Sequence, residues 1–366
     1  MQIYMPTNVY SENQCVRNHS KELAALGNKA LIVTGKHSSK INGSLEDVQK
    51  ALQEEHISFV VFDSIEENPS IETVMAATEI GIKENVDFVI GIGGGSPMDA
   101  AKAIALMIAN PQEKEDVLYE KRELMALPVA EIPTTAGTGS EVTPYAILTI
   151  HARRTKQSIS HKIYPRLALI DSRYLKSARL NTLIDTAVDA LAHLIESYLN
   201  TNANAYNRMY AEKGLLVFAE IKEELMQCRR LGKEPVLTLT DGVFDRLMQM
   251  AATAGMAITH TGTSLPHGLS YPITYEMKVS HGKAVGIFLP GFLKYYQQRE
   301  DVQSVLDRMG FENVEAFTEY LDALLGKVEI SDKLWQEDVK AIMENQAKLK
   351  NYPFEMEEET LYAFRR

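Results

Sequence analysis

Cysteine is scarce in this sequence, and it has neither long apolar runs nor an excess of positive charge. Only Cys15 and Cys228 occur, far apart and outside any CxxC pair, so we expect neither a disulfide framework nor a thiolate zinc site. No apolar run reaches the roughly 18 residues that a membrane-spanning helix needs. The formal net charge of −11 disfavours general binding to nucleic acid or to an anionic membrane.

The remaining bulk properties are those of a globular protein. Of the 366 residues, 45% are hydrophobic and 24% are charged, which is enough to bury a large core. The first residues lack the basic segment and apolar stretch of a signal peptide, so we expect a cytoplasmic protein. Its length suggests about two domains.

The first half of the chain alternates between strand and helix patterns. Serine caps are expected at Ser44 and Ser70. Apolar, β-branched runs indicate buried strands at residues 29–35, 58–63, 87–93, 129–135 and 166–172. Helical spacing covers residues 44–55, 70–85 and 97–110. This alternation predicts a parallel sheet with helices on both faces.

The second half carries long helical patterns without a clear strand between them, at residues 182–200, 205–225 and 245–258. We therefore predict an α/β N-terminal domain over residues 1–178, followed by an all-helical C-terminal domain over residues 179–366.

Three consecutive glycines, Gly93, Gly94 and Gly95, join a predicted strand to a predicted helix, and Ser96 follows them. A backbone without side chains lets a ligand approach closely, and the start of a helix offers unpaired N–H groups. We expect a phosphate or diphosphate at this joint. A tight structural turn is the alternative, because the spacing is not that of the usual dinucleotide fingerprint.

A second loop, at residues 132–146, is rich in glycine and hydroxyl groups. Its Thr134, Thr135, Thr138 and Ser140 follow another predicted strand, and hydroxyl and N–H donors of this kind line anionic ligands. Lys156, a little further on, adds a cation. In open α/β sheets ligands bind beyond the carboxyl ends of the strands, so the two loops together favour a nucleotide site.

A predicted helix carries Asp189 and His193 one turn apart on the same face, in apolar surroundings. A buried carboxylate is costly unless it is paired or bound to a metal. Later in the chain His267 and His281 are each followed by glycine in apolar segments. A carboxylate and imidazoles of this kind suit a divalent transition metal, although a single histidine is more often a core or surface residue.

Taken together, these segments resemble the iron-containing (group III) alcohol dehydrogenase family. The sequence GGGSPMDAAKAIA is similar to the cofactor motif of the family, and IPTTAGTGSEVT to its second nucleotide loop. DALAHLIESYL and THTGTSLPHGLSYPITYEMKVSHGKAVGIFLP resemble its two metal-bearing segments. The resemblance covers residues 29–292 and offers no usable signal in the last 70-odd residues.

The resemblance implies a dinucleotide-binding domain, then a metal and substrate domain, with the active site in the cleft between them. It implies hydride transfer between a small alcohol or aldehyde and a nicotinamide cofactor, and a homodimer is expected. The implied metal ligands are Asp189, His193, His267 and His281, holding Fe²⁺ or alternatively Zn²⁺. The residues expected to contact the cofactor are Gly35, Ser38, Ser39, Lys40, Asn68, Gly94, Gly95, Ser96, Asp99, Thr134, Thr135, Thr138, Ser140 and Lys156.

The sequence departs from the family pattern at two positions. Many members carry an aspartate after the first strand, where it repels the 2′-phosphate of NADP, but this chain has Gly35, followed by Lys36 and Lys40. We therefore expect NADP(H), with NAD as the alternative. Many members also have a histidine, thought to relay a proton, where this chain has Tyr271. A phenol is a weaker base than an imidazole at neutral pH, so the candidates for passing the proton are Tyr271, water and a ribose hydroxyl.

Two related enzyme classes share the expected architecture. Glycerol dehydrogenases usually hold zinc, and dehydroquinate synthases are lyases that use bound NAD as a temporary oxidant. A synthase needs a basic pocket for a phosphorylated acid. The expected substrate lining here is mostly apolar and argues against it: Thr263, Leu265, Leu269, Tyr271 and Pro272.

Overall fold

The computed structural model of this protein describes residues 3–153 and 155–365. These residues form two compact units. We call Tyr4–Thr135 with Gly139–Ser177 the sheet unit. The helical unit contains Ala136–Thr138 and Ala178–Arg366.

The sheet unit is built on six parallel strands in the order β1-β8-β5-β4-β2-β3. A separate antiparallel pair joins β6 to β7. The sequence predicted neither this pair nor β1. The strands are β1 (Asn8–Ser11), β2 (Lys29–Gly35), β3 (Ser58–Ile65), β4 (Phe88–Gly93), β5 (Val129–Pro133), β6 (Ile147–Ile150), β7 (Thr155–Ser158) and β8 (Leu167–Ile170).

The helices of this unit lie over two hydrophobic cores, which draw on alternate residues of the buried strands. Leu31 and Val89 belong to one core, whereas Ile32 and Ile90 belong to the other. Because successive strand residues point to opposite faces, both faces of the sheet are covered, as predicted. The helices are α1 (Cys15–Asn18), α2 (Ser20–Ala24), α3 (Ser38–Ile41), α4 (Ser44–Glu54), α5 (Ile71–Lys83) and α6 (Gly95–Ala109).

Of the two serine caps that the sequence predicted, the structure contains one. The side chain of Ser70 accepts a hydrogen bond from the Thr73 main chain and caps α5, as expected. The prediction for Ser44 was wrong, since it is the first residue of α4 and the cap position is Gly43, with φ 84°. The Ser44 hydroxyl is buried and donates to the Ser39 carbonyl at 3.4 Å.

The order of the strands reverses direction between β2 and β4, which are neighbours in the sheet while β3 and β5 lie on opposite sides of them. Ligands of open α/β sheets bind beyond the carboxyl ends of the strands at such a switch point. Gly35 ends β2 and Gly93 ends β4, so the sheet brings these predicted cofactor segments to one place.

The described part of the helical unit contains helices and no strand, which confirms the predicted fold class. Its long helices α7, α8 and α9 pack against one another. No helix among the described residues has both the length and the apolar character to cross a membrane. The helices are α7 (Leu180–Tyr198), α8 (Ala205–Leu231), α9 (Asp241–Thr261), α10 (Leu265–Met277), α11 (His281–Gly286), α12 (Leu289–Tyr295), α13 (Arg299–Met309), α14 (Val314–Leu325), α15 (Asp332–Met343), α16 (Gln346–Leu349) and α17 (Glu358–Tyr362).

Candidate metal centre and cofactor loops

Three helices of the helical unit supply the predicted metal ligands. Asp189 and His193 lie on α7, His267 lies in the first turn of α10, and His281 is the first residue of α11. The spacing of four residues on α7 directs Asp189 and His193 to the same face, as the sequence predicted.

Asp189, His267 and His281 form a compact group. One ligand atom from each lies within 4.8 Å of the others. Asp189 Oδ1 is 3.3 Å from His267 Nε2 and 3.7 Å from His281 Nε2. Asp189 and His267 are buried, whereas the His281 side chain is 32% exposed. The arrangement can therefore hold an ion between buried ligands and leave one side accessible.

His193 lies beside this group without belonging to it. Its ring stacks on the ring of His267, with centroids 4.4 Å apart and planes inclined by 22°. It also forms a hydrogen bond with the main chain of Gly137. His193 is thus a neighbour of the three gathered residues, and its role as a fourth ligand stays a prediction.

The electrostatics of the group favour an ionised Asp189, a neutral His193 and a protonated His267. Burial by itself would raise the pKa of Asp189, but the imidazoles of His193, His281 and His267 hold it below the usual range. Burial lowers the pKa of His193 to about 4, against the opposing charge of Asp189. His193 is therefore neutral near pH 7 and keeps a lone pair for a metal. Burial alone would lower the pKa of His267, but the carboxylates of Glu196 and Asp189 raise it to about 10, so a metal ion that binds there displaces its Nε2 proton.

These residues fit a divalent cation. Asp189 Oδ1, His193 Nδ1 and His267 Nε2 are buried and have no hydrogen-bond partner among the described residues. Buried polar atoms are normally satisfied, and their exceptions need an explanation. A cation shared by these atoms supplies one, since carboxylate oxygen and imidazole nitrogen are ligands for iron and zinc.

The glycine after His281 has a steric reason. A Cβ on Gly282 would lie 1.7 Å from the carbonyl oxygen of Asp185. The backbone of α11 therefore reaches α7 at a distance that only glycine permits. The Ser280 hydroxyl donates to Asp185 Oδ2 at 2.5 Å at the same contact. This close approach brings His281 to Asp189.

The sequence analysis missed Glu196, which is fully buried on α7. Its carboxylate accepts hydrogen bonds from the His267 main chain at 3.0 Å and from His267 Nδ1. Its spacing, three residues after His193 and seven after Asp189, was the available signal, because it continues the same helix face.

The expected substrate lining stays a prediction, and its residues differ in burial. Leu265 and Leu269 are fully buried and belong to the core. Tyr271 is half-buried and stacks on His281, with centroids 5.9 Å apart. Lys348 lies 5.3 Å above the Tyr271 ring, and its Nζ donates to Thr263 Oγ1 at 2.7 Å. Lys348 of the distant α16 thus adds a charged group beside Tyr271 and Thr263 that the sequence analysis did not anticipate.

In the sheet unit, the glycine joint has the predicted form. Gly93 has φ 147°, a conformation that favours glycine, and Gly95 is the first residue of α6. The Thr134 main chain donates to the Gly93 carbonyl at 2.8 Å. A Cβ on Gly94 would lie 3.2 Å from Thr135 Oγ1, so the second loop borders the first. The free N–H groups of the helix start suit a diphosphate.

Two hydrogen-bonded groups connect further predicted cofactor residues. The Asn68 main chain donates to Ser96 Oγ at 3.0 Å, and Lys156 Nζ donates to Asn68 Oδ1 at 2.7 Å. Ser140 Oγ donates to Asp99 Oδ1 at 2.6 Å. Thr138, half-buried, falls in the short stretch that belongs to the helical unit.

The segment after β2 is less uniform than expected. Ser39 is fully buried, and its hydroxyl accepts a hydrogen bond from Thr34 at 2.8 Å, so it lies in the interior. Lys40 is exposed and forms an ion pair with Asp63 at 2.5 Å. Of this segment Ser38 and Lys36 are exposed, and Gly35 is half-buried.

Comparison with known proteins agrees with this architecture. The profile described as "Iron-containing alcohol dehydrogenase" matches residues 6–172, and "Fe-containing alcohol dehydrogenase family, C-terminal" matches residues 183–357. The match therefore extends beyond the residues 29–292 that the motifs covered.

Individual relatives show the same relation. A crystal structure of an iron-containing alcohol dehydrogenase from Thermotoga maritima superimposes with a TM-score of 0.90 at 36% identity, covering 99% of this chain and 98% of that one. An NAD-dependent methanol dehydrogenase of Bacillus methanolicus is 31% identical over 72% of this chain and 67% of its own length. An NADPH-dependent butanol dehydrogenase of Clostridium saccharobutylicum is 28% identical over 74% of this chain and 68% of its own length.

The matched part covers 66% and 34% of the length of two further curated relatives. The solved structure covers nearly the whole chain at 36% identity, and both profiles match in order along the sequence. This chain belongs to the iron-containing alcohol dehydrogenase family.

Proposed function

We propose that this protein is a metal-dependent oxidoreductase that interconverts small alcohols and aldehydes with NADP(H). The observation that carries the proposal is the group of Asp189, His267 and His281, whose ligand atoms lie within 4.8 Å of one another. Within it, the buried atoms Asp189 Oδ1 and His267 Nε2 have no hydrogen-bond partner in the part of the chain that the structure describes. His193, stacked on His267, completes the proposed ligand set.

The residues of the chain prepare the site for two groups. When bound, a divalent ion supplies Lewis acidity toward a substrate oxygen, and a nicotinamide supplies hydride-transfer chemistry. Asp189 places a negative charge among imidazoles, which offsets part of the charge of the ion. The glycine joint and the threonine loop hold the diphosphate through main-chain N–H and hydroxyl groups.

Tyr271 is the proposed carrier of the alcohol proton. Its ring stacks on His281 with planes inclined by 12°, so the phenol belongs to the surroundings of a metal ligand. Lys348 lies above the same ring. We expect Tyr271→Phe to change the pH profile of kcat while the affinity for the metal stays the same.

The preference for NADP(H) rests on Gly35 and Lys36, because Lys40 is already paired with Asp63. Gly35 has room for a side chain, since a Cβ there would meet only the Ile65 carbonyl at 3.4 Å. Gly35→Asp should therefore fold and shift the ratio of kcat/KM for NADP over NAD by about tenfold or more toward NAD, by charge repulsion. Gly35→Asn is the uncharged control of the same size. Equal ratios for the aspartate and asparagine variants would contradict this placement.

A substrate panel tests the function directly. Protein loaded anaerobically with Fe²⁺ or with Zn²⁺ is assayed at 340 nm with short primary alcohols, diols, glycerol and their aldehydes, using each cofactor. We expect metal-dependent reduction of NADP by an alcohol, and its loss in His267→Ala, which should still bind the cofactor. Full activity after the metal has been removed would contradict the proposal, and the absence of any net reduction would favour a synthase-type lyase.

The panel also compares the two metals. We expect Fe²⁺ to support the activity, with Zn²⁺ as the alternative, because the ligand set accepts both. The similarity to relatives named for methanol and butanol supports small primary alcohols as the substrate class. The homodimer stays a prediction, which light scattering of the purified protein tests.

A further inference from the structure

Glu196 contacts the proposed metal ligand His267 but is not itself one of the proposed ligands. It lies on α7 and is fully buried. Ionised carboxylates are rarely buried without a specific partner. Among the described residues, the hydrogen bonds of the Glu196 carboxylate go to the start of α10, the helix that carries His267.

The first of these contacts is with the main chain. Glu196 Oε1 accepts hydrogen bonds from the main-chain N–H groups of Ser264 at 3.3 Å and His267 at 3.0 Å. The start of a helix leaves such groups without partners in the helix itself, and the cap residue Ser264 makes no side-chain cap here. Glu196 therefore does from α7 what a capping side chain usually does locally.

The second contact is with the imidazole. Glu196 Oε2 faces Nδ1 of His267 within hydrogen-bond distance. An ionised carboxylate can only accept, so Nδ1 must carry a proton. In a neutral imidazole the other nitrogen, Nε2, then keeps its lone pair.

The Nε2 atom of His267 faces Asp189. Nε2 lies 3.3 Å from Asp189 Oδ1, and neither atom has a hydrogen-bond partner among the described residues. Two acceptors facing each other repel, so a cation must lie between them, either a proton on Nε2 or a metal ion. Glu196 thus contacts one ring nitrogen of His267 and Asp189 faces the other, where a divalent ion can replace that proton.

We propose that Glu196 is a positioning residue that fixes His267 in its Nδ1-protonated form and presents Nε2 to the divalent ion. The main-chain bonds of Oε1 fix the start of α10, and the bond of Oε2 fixes the ring. This inference rests on the metal centre of the proposed function.

Metal affinity tests this role, measured by anaerobic chelator competition with Zn²⁺ and with Fe²⁺. Glu196→Gln keeps the side-chain volume, but the NH₂ group of its amide must face either the Nδ1–H of His267 or the main-chain N–H groups. Two donors then face each other, and a hydrogen bond is lost. We expect it to weaken metal binding by about 10- to 100-fold, the usual effect of removing such a partner.

Asp338→Asn is the matched control, because Asp338 is also a buried carboxylate of the helical unit but has no hydrogen-bond partner among the described residues. It should bind metal like the wild type. Equal affinity of Glu196→Gln and the wild type would overturn the inference alone. If the wild type itself binds no ion, the proposed function fails and this inference fails with it.

A second measurement does not depend on a variant of Glu196. Nitrogen-15 NMR of histidine-labelled, zinc-loaded wild type reports which ring nitrogen carries a proton, and His267→Gln identifies the signal. We expect a protonated Nδ1 and a metal-bound Nε2 for His267. A protonated Nε2 in the loaded protein would overturn the proposal even if Glu196→Gln does not fold.

Discussion

Each unit of the chain contains a cluster of carboxyl groups removed from solvent, and the pKa values of the two clusters are shifted in opposite directions. The metal cluster comprises Asp189 and Glu196 with their histidines. Burial opposes ionisation of both, yet the neighbouring imidazoles lower the pKa of each carboxyl group. The cluster therefore keeps two negative charges inside the protein.

The loop cluster lies behind the cofactor loops of the sheet unit and comprises Asp99, Glu131, Glu141 and Lys102. Here burial is the largest influence, and the pKa of each of the three carboxyl groups is raised, that of Glu141 to about 7. Lys102 Nζ lies 4.0 Å from Asp99 and 3.7 Å from Glu131. Its positive charge opposes the effect of burial on the pKa of each carboxyl group.

The difference shows that burial does not decide whether a carboxyl group is charged. Glu131 and Glu196 are both completely buried, but Glu196 bonds to an imidazole and to main-chain N–H groups. Glu131 shares one lysine with two other acids, and neither of its oxygens has a hydrogen-bond partner among the described residues. Of the two clusters, only the metal cluster has carboxyl groups with lowered pKa values together with ligand atoms close enough to share a metal ion.

The largest expected difference in metal content and kcat/KM is between two variants that each replace a carboxyl group by an amide, one in each cluster. Asp189→Asn removes the charge of a ligand, so we expect the ion to be lost and kcat/KM to fall by about a thousandfold or more. Burial raises the pKa of Glu131 well above its usual value, so Glu131→Gln should remove little charge, and metal content and kcat/KM should stay near those of the wild type. Elemental analysis and steady-state kinetics measure both. Metal loss in Glu131→Gln would break the comparison.

Removing the cation of the loop cluster should affect stability and leave metal binding intact. Lys102 Nζ donates to Ser140 O and Oγ, both at 2.7 Å, and to the Tyr145 carbonyl at 3.0 Å. Lys102→Met removes these three charge-assisted hydrogen bonds and the cation beside the carboxyl groups, which should lower the free energy of unfolding by about 3 kcal/mol in urea titrations. Lys50→Met, at an exposed ion pair, is the control and should change little. Equal stability of both variants would contradict the assignment.

The metal cluster depends on a backbone contact as well as on charge. Gly282→Ala would place a Cβ 1.7 Å from the Asp185 carbonyl, so α11 must move and carry His281 away. We expect metal affinity to fall by about 10- to 100-fold in chelator competition. Gly242→Ala is the matched control, because its Cβ would meet only side-chain atoms, the Arg246 guanidinium at 3.2 Å and the Thr240 hydroxyl at 3.9 Å. An alanine at position 282 that binds metal normally would show that the contact is not needed.

The smallest effect concerns Asp338, a buried carboxyl group without a cation. Burial raises its pKa from 3.8 to about 8. The folded state therefore binds this proton more tightly than the unfolded chain, and the resulting stability is lost as the pH rises through 8. Between pH 6 and pH 9 the loss should be on the order of 2 kcal/mol, and Asp338→Asn should flatten it. Parallel pH profiles of unfolding for the variant and the wild type would refute this.

The sequence predicted those parts of the fold and site that depend on local periodicity. The alternating patterns placed the parallel sheet, and the four-residue spacing of Asp189 and His193 placed them on one face of α7. Ser70 was recognisable as a cap because its partner, Thr73, lies in the same turn.

The remaining features depend on contacts between distant segments. Glu196 and His267 are 71 positions apart, and Lys348 and Thr263 are 85 apart, so no local pattern shows that they meet. Leu265 and Leu269 were placed in the substrate lining because α10 is apolar, but only the packed structure shows that they face the core. Ser39 was expected near a phosphate, yet Thr34 holds its hydroxyl inside.

Anomalous diffraction at the iron or zinc absorption edge, from crystals of the loaded protein, tests the central claim most directly. The account predicts a single peak within about 2.0–2.3 Å of one atom from each of Asp189, His193, His267 and His281. A loaded protein that shows no such peak, or one whose peak lies away from these side chains, would contradict it.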